Sequence, residues 1–199
     1  MGRRAAAALI ALVAWTGLAV QFSAIHGRTG SAAAALWGML RYFTITTNLA
    51  AALLFAAIAA GFAVPPRLLA GLALAMGLVG IVYQLLLRGL LDLSGGDALA
   101  DLLLHWVTPV AVPLFWLAAG RKGALAARDP LLWTLYPAAY LAYALGRGLS
   151  DGLYPYPFMD IGRLGWARTG ANILALGTGF LAAGYALVRL DARLAGTAR

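Results

Sequence analysis

Cysteine is absent from the 199 residues, which excludes disulfides, iron–sulfur clusters and thiolate zinc sites. Charge is nearly as scarce: Asp, Glu, Lys and Arg make up 11% of the chain, against the ~25% usual in soluble domains. Histidine occurs twice, so a bis-histidine haem could be held once at most. His26 is read into a loop and no carboxylates stand near either histidine at metal-ligand spacing, so neither a cofactor nor a metal is expected. The period-two alternation of barrel strands is missing, and no internal repeat of the inverted-repeat transporter kind is apparent.

What fills the chain is apolar. Hydrophobic residues supply 63% of it, gathered in runs at about residues 5–25, 41–63, 68–88, 99–118, 131–148 and 167–189, each near the ~20 residues that cross a bilayer as a helix. Backbone polar groups in hydrocarbon must be satisfied within a segment, so the runs are helices. The expected fold is all-α: a polytopic membrane protein whose six transmembrane helices form a single domain over residues 1–199.

The net charge is +8. In a soluble protein that would point to nucleic acid; in a membrane protein it reports topology, because basic residues collect on the cytoplasmic side. With the N-terminus inside, Arg3, Arg4, Arg67, Arg121, Lys122, Arg128, Arg189, Arg193 and Arg199 are cytoplasmic, and Arg28, Arg41, Arg88, Arg147, Arg163 and Arg168 lie outside. Asp92, Asp97, Asp101, Asp151 and Asp160 also fall outside. Both termini are therefore expected in the cytoplasm, and no nucleic-acid partner is expected. Met1-Gly-Arg-Arg ahead of a long apolar run, with no small-x-small site after it, reads as an uncleaved first helix. Arginine greatly outnumbers lysine, which fits a GC-rich bacterial genome, so a bacterial plasma membrane is the expected location.

Connections are marked by Gly27–Ser31, by Pro65-Pro66, by acidic Leu93–Asp97 and by basic Gly120–Gly123. The longest runs from Leu149 to Trp166 and carries Tyr154-Pro-Tyr-Pro-Phe158; it reads either as an aromatic belt at the membrane surface or as a lid over a site. Small residues four apart, at Ala73/Gly77 and Ala175/Gly179/Ala183, allow helices to approach closely.

Polar residues cluster in the outer half of every run. Gln21, Ser23 and His26 end the first; Arg41, Thr44, Thr46, Thr47 and Asn48 open the second; Gln84 and Arg88 end the third. Asp101 and His105 open the fourth, Tyr140, Tyr143 and Arg147 end the fifth, and Arg168, Thr169 and Asn172 start the sixth. The inner halves are nearly all Ala, Leu, Gly and Val. Polar groups in hydrocarbon face a bundle interior or a wet cavity, so an outward-opening pocket is expected. His105, about one turn into its helix, is the natural acid–base group. Thr44 sits at similar depth and shares a helix face with Thr47 and Asn48. A hydroxyl, an imidazole and an amide at one depth are materials for acyl transfer. Asp101, one turn from His105, can orient the imidazole or merely flank the helix. Asn48, Asn172 and Arg168 are candidate oxyanion donors, with Gln84 and Thr47 as supporting groups.

Three segments together, Arg41-Tyr-Phe-Thr44, Leu104-His105 followed by Pro109 and Trp116, and Tyr154-Pro-Tyr-Pro-Phe-Met-Asp160, resemble the androgen-induced and androgen-dependent TFPI-regulating family of membrane proteins, in a six-helix prokaryotic form. The likeness runs from the second helix to the C-terminus. It implies an intramembrane threonine hydrolase of fatty acid esters of hydroxy fatty acids, with Thr44 as nucleophile and His105 as base. The expected partners are membrane lipids, with a lipid-like ester as substrate. Phe115 is a departure, since bacterial members often carry an acid just before the helix-4 tryptophan. Two non-enzymatic alternatives stand beside this: a small transporter or lipid-binding protein, which requires a polar path to the cytoplasm, and an accessory subunit whose outer pocket receives a partner.

Overall fold

A computed structural model describes residues 2–196; Met1 and Arg199 of the topology argument lie outside them. Every regular element among the described residues is helical. In chain order these are α1 (Arg3–Thr29), α2 (Ala32–Met39), α3 (Phe43–Ala60), α4 (Pro66–Val82), α5 (Gly95–Leu102), α6 (Thr108–Ala119), α7 (Asp129–Asp151) and α8 (Ile161–Gly196). A π-helical turn, Tyr83–Leu87, prolongs α4, and a second, Leu103–Val107, joins α5 to α6. Five helices are long and apolar enough to cross a membrane: Arg3–Thr29, Phe43–Ala60, Pro66–Leu87, Gly95–Ala119 and Ile161–Gly196. The expected span at 131–148 corresponds to α7, whose 23 residues suffice in length but which is not apolar enough to stand among these five.

Local chemistry sets the breaks. Gly30 (φ 65°) ends α1 in the left-handed conformation, its N–H bonded to the His26 carbonyl. His26 is thus helical, in the last turn of α1 and stacked on Phe22, and the loop placement expected for it is corrected. The chain reverses there, Ser31 caps α2 through the Ala34 N–H, and α2 packs back on α1. This short helix was not anticipated. Its run of alanines is continuous with the second apolar segment, and only the extended backbone at Tyr42 (φ −98°, ψ 134°) separates it from α3. The loop expected at Leu149–Trp166 is shorter: α7 continues to Asp151, a 3-10 turn spans Pro157–Met159, and α8 starts at Ile161 before breaking at Gly165 (φ 70°).

The chain folds as two compact units, Met1–Arg121 and Lys122–Arg199. In the first, Ala14 and Leu18 of α1, Met39 of α2, Ile45 and Ala52 of α3, Ala100 of α5 and Leu104 of the second π turn form one buried cluster. Phe115, where an acid was expected from the resemblance, packs edge-to-face on Phe55 and is buried. Helices in lipid gain little from apolar burial against one another, so close backbone approach matters more. It occurs at Gly17, where a Cβ would lie 2.7 Å from Leu104 Cδ2 and 3.1 Å from Leu103 Cβ, and at Gly80, 3.0 Å from Pro109 Cβ. It does not occur at Gly77, beside which a Cβ would meet nothing within 4 Å.

In the second unit, α7 and α8 pack together and the Tyr154 ring covers Gly148. Two buried carboxylates organise the segment before α7: Asp129 accepts the Ala126 N–H at 2.8 Å and Asp191 the Leu125 N–H at 3.1 Å. Burial draws the Lys122 ammonium below the usual lysine range, opposed by nearby Asp191.

Because Leu104 is buried and cannot swing aside, Gly17→Ala should destabilise the protein by about 1–3 kcal/mol through overpacking. Gly77→Ala should be neutral or stabilise by up to about 1 kcal/mol through helix propensity. Thermal unfolding in detergent, followed by tryptophan fluorescence, checks both.

Candidate functional site

The second π turn begins the site. In that turn the Thr108 N–H bonds to the Leu103 carbonyl, so the Leu104 carbonyl falls to the next amide, which belongs to Pro109. Proline has no N–H, and in hydrocarbon no water replaces it. The orphaned carbonyl is met instead from α3, by Asn48 Nδ2 at 3.2 Å. The other proton of Asn48 Nδ2 goes to the Thr44 carbonyl at 2.9 Å, and Asn48 Oδ1 accepts from the Thr108 hydroxyl at 2.5 Å. Asn48 is fully buried and both its amide protons are engaged. It therefore pins the Thr44 turn to the His105 turn, where a donor to an oxyanion had been expected.

With the two turns pinned, Thr44 Oγ1 lies 3.2 Å from His105 Nε2. Thr44 is in the first turn of α3, and its hydroxyl is within reach of the imidazole. Thr46, two residues on, bonds back through its hydroxyl to the Phe43 carbonyl. His105 is ten residues beyond the start of α5 at Gly95, almost three turns in at 3.6 residues per turn, deeper than the single turn expected. It lies beside Thr44 because α3, α5 and the second π turn all pack on α1.

The far side of the imidazole faces Asp101: His105 Nδ1 and Asp101 Oδ1 are 2.9 Å apart. The ring N–H is angled off the oxygen, so the approach is an electrostatic contact more than a straight hydrogen bond. A carboxylate at Nδ1 favours the tautomer with its proton there, leaving Nε2 to accept from Thr44. Asp101 Oδ2 accepts the Tyr83 hydroxyl at 2.6 Å, and the Tyr83 ring stacks on the imidazole with centroids 4.2 Å apart. Thr44 and Tyr83 are buried, while the His105 and Asp101 side chains keep 21% and 17% of their surface. The imidazole thus keeps about a fifth of its surface exposed while its Nδ1 is buried.

Further groups flank this row. Arg28 and Gln21 of α1 bind Asp97 of α5, Arg28 Nη1 approaching its carboxylate to 2.5 Å. The Arg88 guanidinium lies over the Trp106 ring at 5.1 Å. Thr47 is fully buried in α3 and Gln84 half-buried in the first π turn. Arg168 and Asn172 belong to the second unit, where Arg168 is exposed and Asn172 Nδ2 binds the Phe158 carbonyl at 2.9 Å. Of the residues singled out from sequence, the structure brings together Thr44, Asn48, Asp101 and His105. It adds Tyr83, toward the end of its apolar run, and Thr108, in the middle of its own, neither of which had been singled out from sequence. Compared with protein families, curated proteins and solved structures, the chain matches none.

Removing the pin has a defined cost. Asn48→Ala removes the amide that donates to the Leu104 carbonyl and leaves the Thr108 hydroxyl to the Leu103 and Leu104 carbonyls at 3.1 and 3.5 Å, and should destabilise by about 1–3 kcal/mol. Combined with Thr108→Val, the loss should be less than additive, since both substitutions break one bond. Detergent unfolding of the single and double variants measures the coupling.

Proposed function

We propose that the protein is an intramembrane threonine hydrolase of lipid esters, with Thr44 as nucleophile and His105 as general base. One observation carries this: a hydroxyl, an imidazole and a carboxylate stand in a row at 3.2 Å and 2.9 Å. That is the order of nucleophile, base and orienting acid in acyl-transfer enzymes, at the outer edge of hydrogen-bond reach for a site without substrate.

Thr44 Oγ1 attacks the ester carbonyl carbon and gives its proton to His105 Nε2. The carbonyl oxygen takes up negative charge near the first turn of α3, whose helix dipole presents its positive end there. Collapse breaks the bond to the alcohol oxygen, which leaves with the proton from Nε2. Water then attacks the acyl-threonine, His105 accepts its proton and returns it to Thr44 Oγ1, and the carboxylic acid departs. Asp101 holds the imidazole through both transfers and offsets the imidazolium charge.

A lipid substrate suits the surroundings. Leu102, Trp106 and Val110 are exposed and recur every four residues past His105, an apolar surface along which an acyl chain can lie. The resemblance to the androgen-dependent membrane hydrolases points to the same chemistry and pairs the same two residues. We further propose six spans, with α7 as the fifth, both termini in the cytoplasm and a bacterial plasma membrane as the location. The distribution of basic residues supports this topology, which puts the Thr44–His105 pair toward the outer surface.

An alkyl fluorophosphonate probe should label Thr44 in detergent-solubilised protein. Thr44→Ala and His105→Ala should abolish labelling, and Thr44→Ser should keep it; labelling that survives either alanine removes these residues from the mechanism. Asp101→Asn should lower turnover by about 10²–10⁴-fold, checked by hydrolysis of 4-nitrophenyl octanoate.

A further inference from the structure

Tyr83 touches two members of the row in different ways. Its hydroxyl donates to Asp101 Oδ2, the oxygen that His105 does not face, and its ring lies against the imidazole at an interplanar angle of 16°. Asp101 needs such a neighbour. A carboxylate within an apolar span is costly unless its oxygens are engaged. His105 is the only ion-pairing partner Asp101 has among the described residues. The Tyr83 side chain reaches it because the π turn at Tyr83–Leu87 widens the end of α4, and such turns recur at functional sites.

We infer that Tyr83 is the positioning residue of the row: its hydroxyl keeps Asp101 an anion aimed by one oxygen at His105, and its face holds the imidazole in line with Thr44. This rests on the assignment of Thr44 and His105 as nucleophile and base, but its test is separable from that assignment. Tyr83 touches no reacting atom; it acts through Asp101 and His105. Other ionisable groups at this end of the unit are Arg88 beyond the same π turn, Arg41 and Tyr42 between α2 and α3, and His26, Arg28 and Asp97 of α1 and α5. Arg28 and Asp97 are paired with each other and Arg88 is stacked on Trp106.

The test replaces the hydroxyl alone. In full-length protein carrying His26→Gln, ¹⁵N-labelled histidine reports only His105. The nitrogen shifts of its ring give the share of the tautomer with the proton on Nδ1, the form that a carboxylate facing Nδ1 favours. In Tyr83→Phe, where Asp101 is no longer held, that share should fall. In an Asp101→Asn background Tyr83→Phe should leave it where it is. An unchanged share in Tyr83→Phe, or an equal change without the Asp101 carboxylate, overturns the inference. With 4-nitrophenyl octanoate, Tyr83→Phe should lower kcat roughly tenfold or more at unchanged KM, and Tyr83→Leu, which also loses the ring face, should lower it further. Full turnover in Thr44→Ala would instead overturn the hydrolase assignment, leaving the tautomer result to decide the role of Tyr83.

Discussion

The Leu104 carbonyl has no amide to meet it, and the arrangement of the first unit follows from how that is resolved. The π turn shifts the hydrogen-bond register by one residue, and Pro109 then stands where the donor should be. A soluble protein could leave such a carbonyl to water; within hydrocarbon it must find a protein donor or the turn is lost. Asn48 supplies that donor from α3 and binds the Thr44 carbonyl with its second proton. A backbone defect in one helix thereby becomes a fixed distance between two helices. The Thr44–His105 contact is a consequence of that distance.

The second constraint is electrostatic. Asp101 brings a carboxylate into an apolar segment, and each of its oxygens has a partner, Tyr83 on one and His105 on the other. Asp97 is handled separately by Arg28 and Gln21 at the edge of the unit. The polar side chains thus largely satisfy one another, while the imidazole keeps part of its surface exposed. Close packing comes from small-residue contacts: Gly17 lets α1 approach Leu104 within the π turn, and Gly80 lets α4 approach Pro109 just beyond it.

Some of this was legible in residue order, and the reasons differ by residue. Asp101 and His105 are four apart in one chain segment, so their contact follows from helical spacing alone. Thr44 and His105 were paired by depth, though His105 lies deeper than its position in the apolar run indicates, because its helix begins at Gly95, ahead of that run. Asn48 was singled out for its amide, but which groups that amide would meet depended on Pro109 in another helix. Tyr83 was passed over, since a tyrosine closing a leucine-rich run resembles an interfacial anchor until the π turn is seen. The small-residue spacing at Ala73/Gly77 is frequent in so alanine-rich a chain, and the close approaches fell at other glycines.

Residue order decided what is local. Long apolar runs with few charges require helices in a membrane, because each peptide group must be satisfied by its own segment, and glycines with positive φ end α1 and α3 wherever they stand. Three-dimensional packing decided which side chains meet. Thr44 and His105 are 61 positions apart, and their meeting depends on the packing of α3 and the second π turn on α1 and on the extra residue in that turn. None of these is encoded by a neighbour in the chain. Each is set by a partner on another helix, and that is why the site became visible only once the helices were assembled.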